Sequence, residues 1–284
     1  YDLLSADQYR TFYQDQLRAG ASGFSQAGLA ALGTANTDWQ DAVNRTARLQ
    51  NHNVALSGGS AATTYRASVN YFDNPGIIIG SGLQRVQGRI NAQSRLLSDK
   101  LSFNLNLTTA QTRDQFLTAE NTGGFTGGVF INTIGFLPTR PVQASADASS
   151  PFYNPNSPFY ELPNQTNIRN PLGLAQQIYD RATTNRTLGN LQAQYQLLTG
   201  LSASVNVGLD RTTSTRGTYI PSNSPLGQFY STPIGLTGAA RLGDRNLQGA
   251  TFQSLLTYDR ALGGSQTLNV VGGYEYQRYS NALN

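Results

Sequence analysis

Few residues in this chain have the type and spacing for bond-making chemistry. His52 is the single histidine and there are no cysteines. A Ser-His-Asp triad or a His-based metal site would have to rest on His52 alone. No G-x-S-x-G segment or ligand spacing accompanies it, so the plain reading is a strand-end side chain. Thiol nucleophiles, disulfides and Cys-ligated metals are excluded. Glu120 and Glu161 fall in one long segment, and a pair of carboxylates can divide acid and base roles. Solvated loop carboxylates are the simpler reading. "GGFTGG" (123–128) is glycine-rich but lacks the Lys-Ser/Thr of a phosphate loop and its strand-then-helix setting. The expectation is no enzyme, no cofactor and no metal.

The remaining candidates suit contact. "PFYNPNSPFYELPN" (151–164) carries Phe152, Tyr153, Phe159 and Tyr160. Aromatic faces can stack on sugars or peptides, or on each other inside a loop. Arg66, Arg85 and Arg89 fall on the polar side of two alternating segments. They could line a solute path or pair with carboxylates, and ordinary salt bridging is the simpler use. Trp39 and Phe12 could anchor the first loop. The net charge is +4, but the basic residues are scattered and Lys100 is the single lysine. No run or RNP-like pattern supports nucleic-acid binding.

The elements that must position these residues are legible as alternation. "KLSFNLNLTTAQT" (100–112) places Leu101, Phe103, Leu105 and Leu107 on one side of an extended chain. Ser102, Asn104, Asn106 and Thr108 fall on the other. The same period of two recurs in eight predicted strands, at about 51–58, 62–73, 83–96, 100–112, 185–197, 201–211, 249–260 and 265–279. Short turns at 59–62, 97–100, 198–200 and 262–265 alternate with long connections at 73–82, 113–184 and 212–248. Helices are predicted over Ser5 to Arg18 and Thr37 to Arg45. The organisation expected is one domain: a loop with short helices over 1–50, four strands over 51–112, a long loop over 113–184, a hairpin over 185–211, a loop over 212–248 and a hairpin over 249–284.

Two environments fit such strands. A soluble sandwich would bury the apolar side and expose a charged one, yet only 13% of residues are charged and lysine is nearly absent. An outer-membrane barrel turns its apolar side to lipid and its neutral polar side to a wet lumen, with short turns on one rim and long loops on the other. No run approaches the ~20 apolar residues of a transmembrane helix, but a barrel strand needs only about 9–11, half of them apolar. The alternation of connections favours the barrel. The start, "YDLLSADQYRTFYQ", has neither a basic n-region nor an apolar h-region, so further sequence is expected upstream if the protein is exported.

Several blocks carry a family likeness. "NTDWQDAVNRTARLQNHNVALSGGS" (36–60) and "TTYRASVNYFDNPGIIIGSGLQRVQGRINAQS" (63–94) resemble the SusC/RagA family of TonB-dependent outer-membrane transporters. "NPLGLAQQIYDRATTNRTLGNLQAQYQLLTGLSASVNVGLD" (170–210) and "LLTYDRALGGSQTLNVVGGYEYQ" (255–277) resemble later hairpins of the same barrel. The resemblance implies an antiparallel transmembrane barrel of about 22 strands, of which this chain supplies about eight meander strands. It implies a Gram-negative outer membrane, import of a large nutrient such as an oligosaccharide or peptide, a SusD-like surface lipoprotein, and energy from the TonB complex. Nothing in the chain resembles the family's plug, so an internal stretch of barrel is expected and TonB contact would come through an N-terminal part not present here. A passive porin-type barrel and a soluble carbohydrate-binding β-sandwich remain the alternatives.

Overall fold

The computed structural model describes residues 1–117, 128–150, 152–155, 157–162, 168–224, 226 and 237–283. Among these residues eight strands form one sheet in sequence order: β1 Gln50–Gly59, β2 Thr63–Pro75, β3 Gly82–Leu96, β4 Leu101–Gln115, β5 Tyr179–Leu198, β6 Leu201–Ile220, β7 Ala239–Gly263 and β8 Gln266–Leu283. Every neighbouring pair is antiparallel. A meander of this kind puts the short turns at one end and the long connections at the other, as the sequence predicts. β1 and β8 do not pair with each other, so the sheet stays open over these residues.

Cross-strand register keeps the two faces chemically distinct. One row runs Tyr65, Ala92, Leu105, Leu191, Val207, Phe252, Tyr276. The next runs Arg66, Asn91, Asn106, Asn190, Gly208, Thr251, Gln277. Because side chains alternate, a one-residue slip anywhere would mix these rows. Leu101, Phe103, Leu105, Leu107, Val205 and Val207 thus share one face, and Asn104, Asn106, Asn206, Gln192 and Gln194 share the other. The apolar face is bare: Leu56 is 66% exposed and Val69 57%. A sandwich would cover that face with a second sheet, and the described residues form only one.

The strands reach further than the hydrophobic alternation at the long-connection end. β5 begins at Tyr179 rather than about 185, β6 runs to Ile220 rather than 211, and β7 starts at Ala239 rather than 249. Thr183, Thr184, Asn185 and Thr212 to Thr215 put polar side chains on both faces there. The period-two hydropathy signal vanishes, but β-branched threonine still suits a strand. At the other end, Leu97, Ser98 and Asp99 take positive φ values of 54°, 55° and 64° in the β3–β4 turn. Gly200, at φ 81°, closes the β5–β6 turn where an added Cβ would meet the Asp259 carbonyl at 2.2 Å.

Among the described residues five short helices accompany the sheet, more than the two predicted: α1 Ala6–Arg18, α2 Gln26–Ala31, α3 Trp39–Val43, α4 Val129–Gly135 and α5 Pro171–Gln177. Ser5 caps α1 in a capping box with Gln8, and Asp38 caps α3 through the Gln40 and Asp41 amides. No helix among the described residues is long and apolar enough to cross a membrane. That says nothing of strands.

Candidate functional site

The loop segments fold over the polar face of the sheet. Asp180, Ala182 and Ile220 are buried, and each has the strand parity of Asn190 and Asn206. Val43, Val129, Leu174, Ala175, Ile220 and Leu226 form one apolar cluster, joining α3, α4 and α5 to the end of β6. Burying side chains of this size gives about 1.5–3 kcal/mol each, enough to hold short helices that would not persist alone. A second cluster contains Trp39, Phe136, Tyr160 and Leu162. Trp39 stands edge-on to Phe136 at 4.8 Å and donates its indole N–H to the Leu137 carbonyl at 2.9 Å. It is an anchor, whereas Phe12 is 44% exposed. The result is a cap of loop residues seated over one end of a polar wall.

Asn170 is the polar centre of the cap and is fully buried. Its side-chain amide donates to the Val142 and Tyr160 carbonyls at 2.8 and 3.0 Å. Its side-chain oxygen accepts from the Leu172 and Gly173 amides at 3.1 and 3.0 Å, capping α5, whose first residue is Pro171. Its own N–H donates to the Glu161 carboxyl at 3.1 Å. Sequence reading missed this residue. The signal was Asn-Pro ahead of an apolar run, a helix start with proline at the first position.

Burial pushes the Glu161 carboxyl up to about 8, against the opposing pull of the Asn170 N–H and the Arg169 charge. A carboxyl raised above its unfolded value stabilises the cap when protonated. That contribution is complete below about pH 4.5. It is lost as pH rises towards 8, at up to about 1.4 kcal/mol per pH unit. Amide-exchange protection of α5 should therefore fall between pH 5 and 8 in the native chain. Glu161→Gln should flatten the profile. An equally steep profile in the variant would assign the pH dependence to another group.

The wall beneath the cap is tied by charge. Arg216 on β6 grips Asp180 on β5 with two bonds, at 2.8 and 2.6 Å, and lies over the Phe116 ring at 4.6 Å. Arg186 holds Asp210 likewise at 3.1 and 2.8 Å. Neutral amides bridge neighbouring strands, as in Asn190 to Asn206 and Gln253 to Glu275.

The structure separates the predicted contact residues. Arg66, Arg85 and Arg89 all lie on the polar face of β2 and β3. Among the described residues none of them has an ion-pair partner. Arg66 and Arg89 are diagonal neighbours, since Arg66 pairs with Asn91. Arg85 lies further along, over the Phe72 ring at 5.5 Å. Of the four aromatic residues, Tyr153 is exposed and Phe152 half-buried, while Phe159 and Tyr160 are buried in the cap. Phe152 meets Tyr160 edge-on at 5.3 Å. Glu161 serves the Asn170 network. Glu120 and residues 123–127 lie outside the described residues, and Gly128 precedes α4. His52 stacks on Tyr71 at 6.4 Å on an exposed strand. Among the described residues no three His, Asp or Glu side chains gather to hold a metal.

Known proteins similar to this chain include TonB-dependent receptors. No model of a known protein family matches the chain. The TonB-dependent receptor SusC of Bacteroides thetaiotaomicron is 29% identical over 298 residues, covering 100% of this chain and 27% of that protein. The TonB-dependent receptor P3 of Formosa agariphila is 29% identical over 286 residues, covering 99% of this chain and 25% of its own length. The RagAB peptide importer in its closed-closed state superposes with a TM-score of 0.70 at 21% identity, over 99% of this chain and 33% of that one. The chain thus spans about a quarter of the length of the curated relatives it matches.

Proposed function

Proceeding from a chain of the SusC/RagA type of TonB-dependent receptor, we propose that it forms part of the wall and extracellular cap of an outer-membrane importer. The imported solute is an oligosaccharide or peptide too large for an open pore. The observation that carries this reading is the pair of unbroken rows: a bare apolar face suited to lipid beside a polar, amide-rich face suited to a wet lumen. Lipid cannot satisfy free strand edges, and the sheet is open here, so further strands of the receptor complete the barrel. A likeness to SusC over the whole chain supports the transport class, and RagAB, a peptide importer, supports peptide as one candidate cargo.

In this reading Arg66, Arg85 and Arg89 line the solute path or meet carboxylates of a plug. Phe152 and Tyr153 face solute or a SusD-like lipoprotein at the extracellular mouth, with Phe159 and Tyr160 fixing the loop behind them. Tyr153→Ala should weaken solute capture by about 0.5–1.5 kcal/mol, read from substrate binding to cells, without changing receptor abundance. Transport draws its energy through the TonB complex. Uptake of labelled oligosaccharide and peptide pools by cells carrying the full-length receptor should fall to background when TonB or the proton gradient is removed. Uptake at full rate without TonB would instead identify a passive pore.

A further inference from the structure

Beyond the apolar band, two arginines of the lipid-side face come together near the long-connection end. Arg113 on β4 and Arg181 on β5 are diagonal neighbours, because Arg113 pairs with Thr183 and Gln115 with Arg181. With Arg45, Asp73, Gln84 and Gln115 they line an open depression of ≈ 420 Å³. Arg45 is fixed there: its Nε and Nη2 donate to the Gly76 and Ser81 carbonyls, both at 2.9 Å. Arg181 lies over the Tyr179 ring at 4.6 Å. Among the described residues neither Arg113 nor Arg181 has a carboxylate partner. Asp73 shares the face with them, and Asp114 lines the depression from a strand position of opposite parity. Three guanidinium groups therefore face at most two carboxylates.

The height of this cluster is informative. Arg113 lies twelve residues beyond Leu101 on β4. At about 3.4 Å per residue and a strand tilt near 40°, that is about 30 Å along the membrane normal. The hydrocarbon core is also about 30 Å thick. If Leu101 marks the edge of the core on the short-turn side, Arg113 and Arg181 reach headgroup level on the loop side. Tyr179 and Tyr219 pair beside them on the same face and are exposed. Amphipathic rings favour this level too.

We propose that Arg45, Arg113 and Arg181 bind a phosphate group of a phosphorylated glycolipid in the outer leaflet. The proposal rests on the outer-membrane reading above. A guanidinium matches two phosphate oxygens at once, and Arg113 and Arg181 have the strand parity of the lipid-side row rather than of the lumen row. The occupant is therefore a lipid headgroup rather than the transported solute.

The test uses the full-length receptor in nanodiscs, titrated with bisphosphorylated lipid A and followed by native mass spectrometry. R113Q/R181Q should lower the affinity about tenfold or more, while R113K/R181K, which keeps both charges but loses the bidentate fork, should lose less than R113Q/R181Q. Dephosphorylated lipid A should bind no better to the native receptor than to R113Q/R181Q. Unchanged binding by R113Q/R181Q, or equal binding of the dephosphorylated lipid, would overturn the site. So would displacement of the lipid by inorganic phosphate at equal concentration, which would indicate a free-anion site. A receptor that inserts but fails to bind lipid A defeats this proposal alone. One that fails to insert defeats the outer-membrane reading with it. TonB-dependent uptake by R113Q/R181Q should stay at the native level.

Discussion

Leu105→Arg should cost about 2–4 kcal/mol of receptor stability in a bilayer, because a charge near the midplane of a barrel wall has no water to solvate it. Leu105 sits between Ala92 and Leu191, with Val207 next in the row. No polar neighbour in that row can take up a guanidinium. Asn106→Arg is the paired control. It adds the same side chain one residue away, onto a row of Asn91, Asn106 and Asn190. Its effect should stay within about 0.5 kcal/mol, as for ordinary exposed positions. The measurement is reversible urea unfolding of the full-length receptor in lipid vesicles. Similar losses in both variants would mean that the two faces meet the same environment.

Asn170→Ala should have a large effect on the loop cap. It removes two donors and one acceptor from a fully buried position. The Val142 and Tyr160 carbonyls and the Leu172 and Gly173 amides then lose their partner. A buried polar group left without one costs about 1–3 kcal/mol, so the cap should lose about 3–5 kcal/mol after partial relaxation and water entry. Asn170→Asp keeps the helix cap but turns a carboxyl oxygen towards the Val142 and Tyr160 carbonyls, so it should cost at least as much as Asn170→Ala at neutral pH. Hydrogen exchange should show α4, α5 and Val142 opening while the strands keep their protection. Loss of protection across β4 to β6 as well would show that the cap holds the wall together.

What the sequence disclosed follows from which physical constraints repeat. Strand order, the two faces and the alternating connections are set by period-two hydropathy, and Leu101 to Leu107 display it without a break. The upper strand ends were hidden because Thr183 to Asn185 and Thr212 to Thr215 are polar on both faces. The cap was harder still. Its partners lie far apart in sequence: Trp39 meets Phe136 and Leu137, and Asn170 meets Val142 and Tyr160. Such pairs leave no local pattern. The helix start at Asn170-Pro171 was readable, but its burial was not. The aromatic stretch suited stacking on a ligand or on itself, and only the fold could separate the exposed Tyr153 from the buried Tyr160. That Arg66, Arg85 and Arg89 find no ion-pair partner among the described residues was likewise not readable from local pattern.

The central claim is that neighbouring residues of one strand face lipid and water in turn. This chain has no cysteine, so single thiols can be placed in it cleanly, with any cysteine elsewhere in the full-length receptor removed. Leu105→Cys and Asn106→Cys, each carrying an environment-sensitive fluorophore, are compared in vesicles with brominated acyl chains. The account predicts strong quenching by bromine and no access to a charged aqueous quencher at position 105, with the reverse at position 106. Bromine quenching at 106 rather than 105, or equal aqueous access at both, would contradict it.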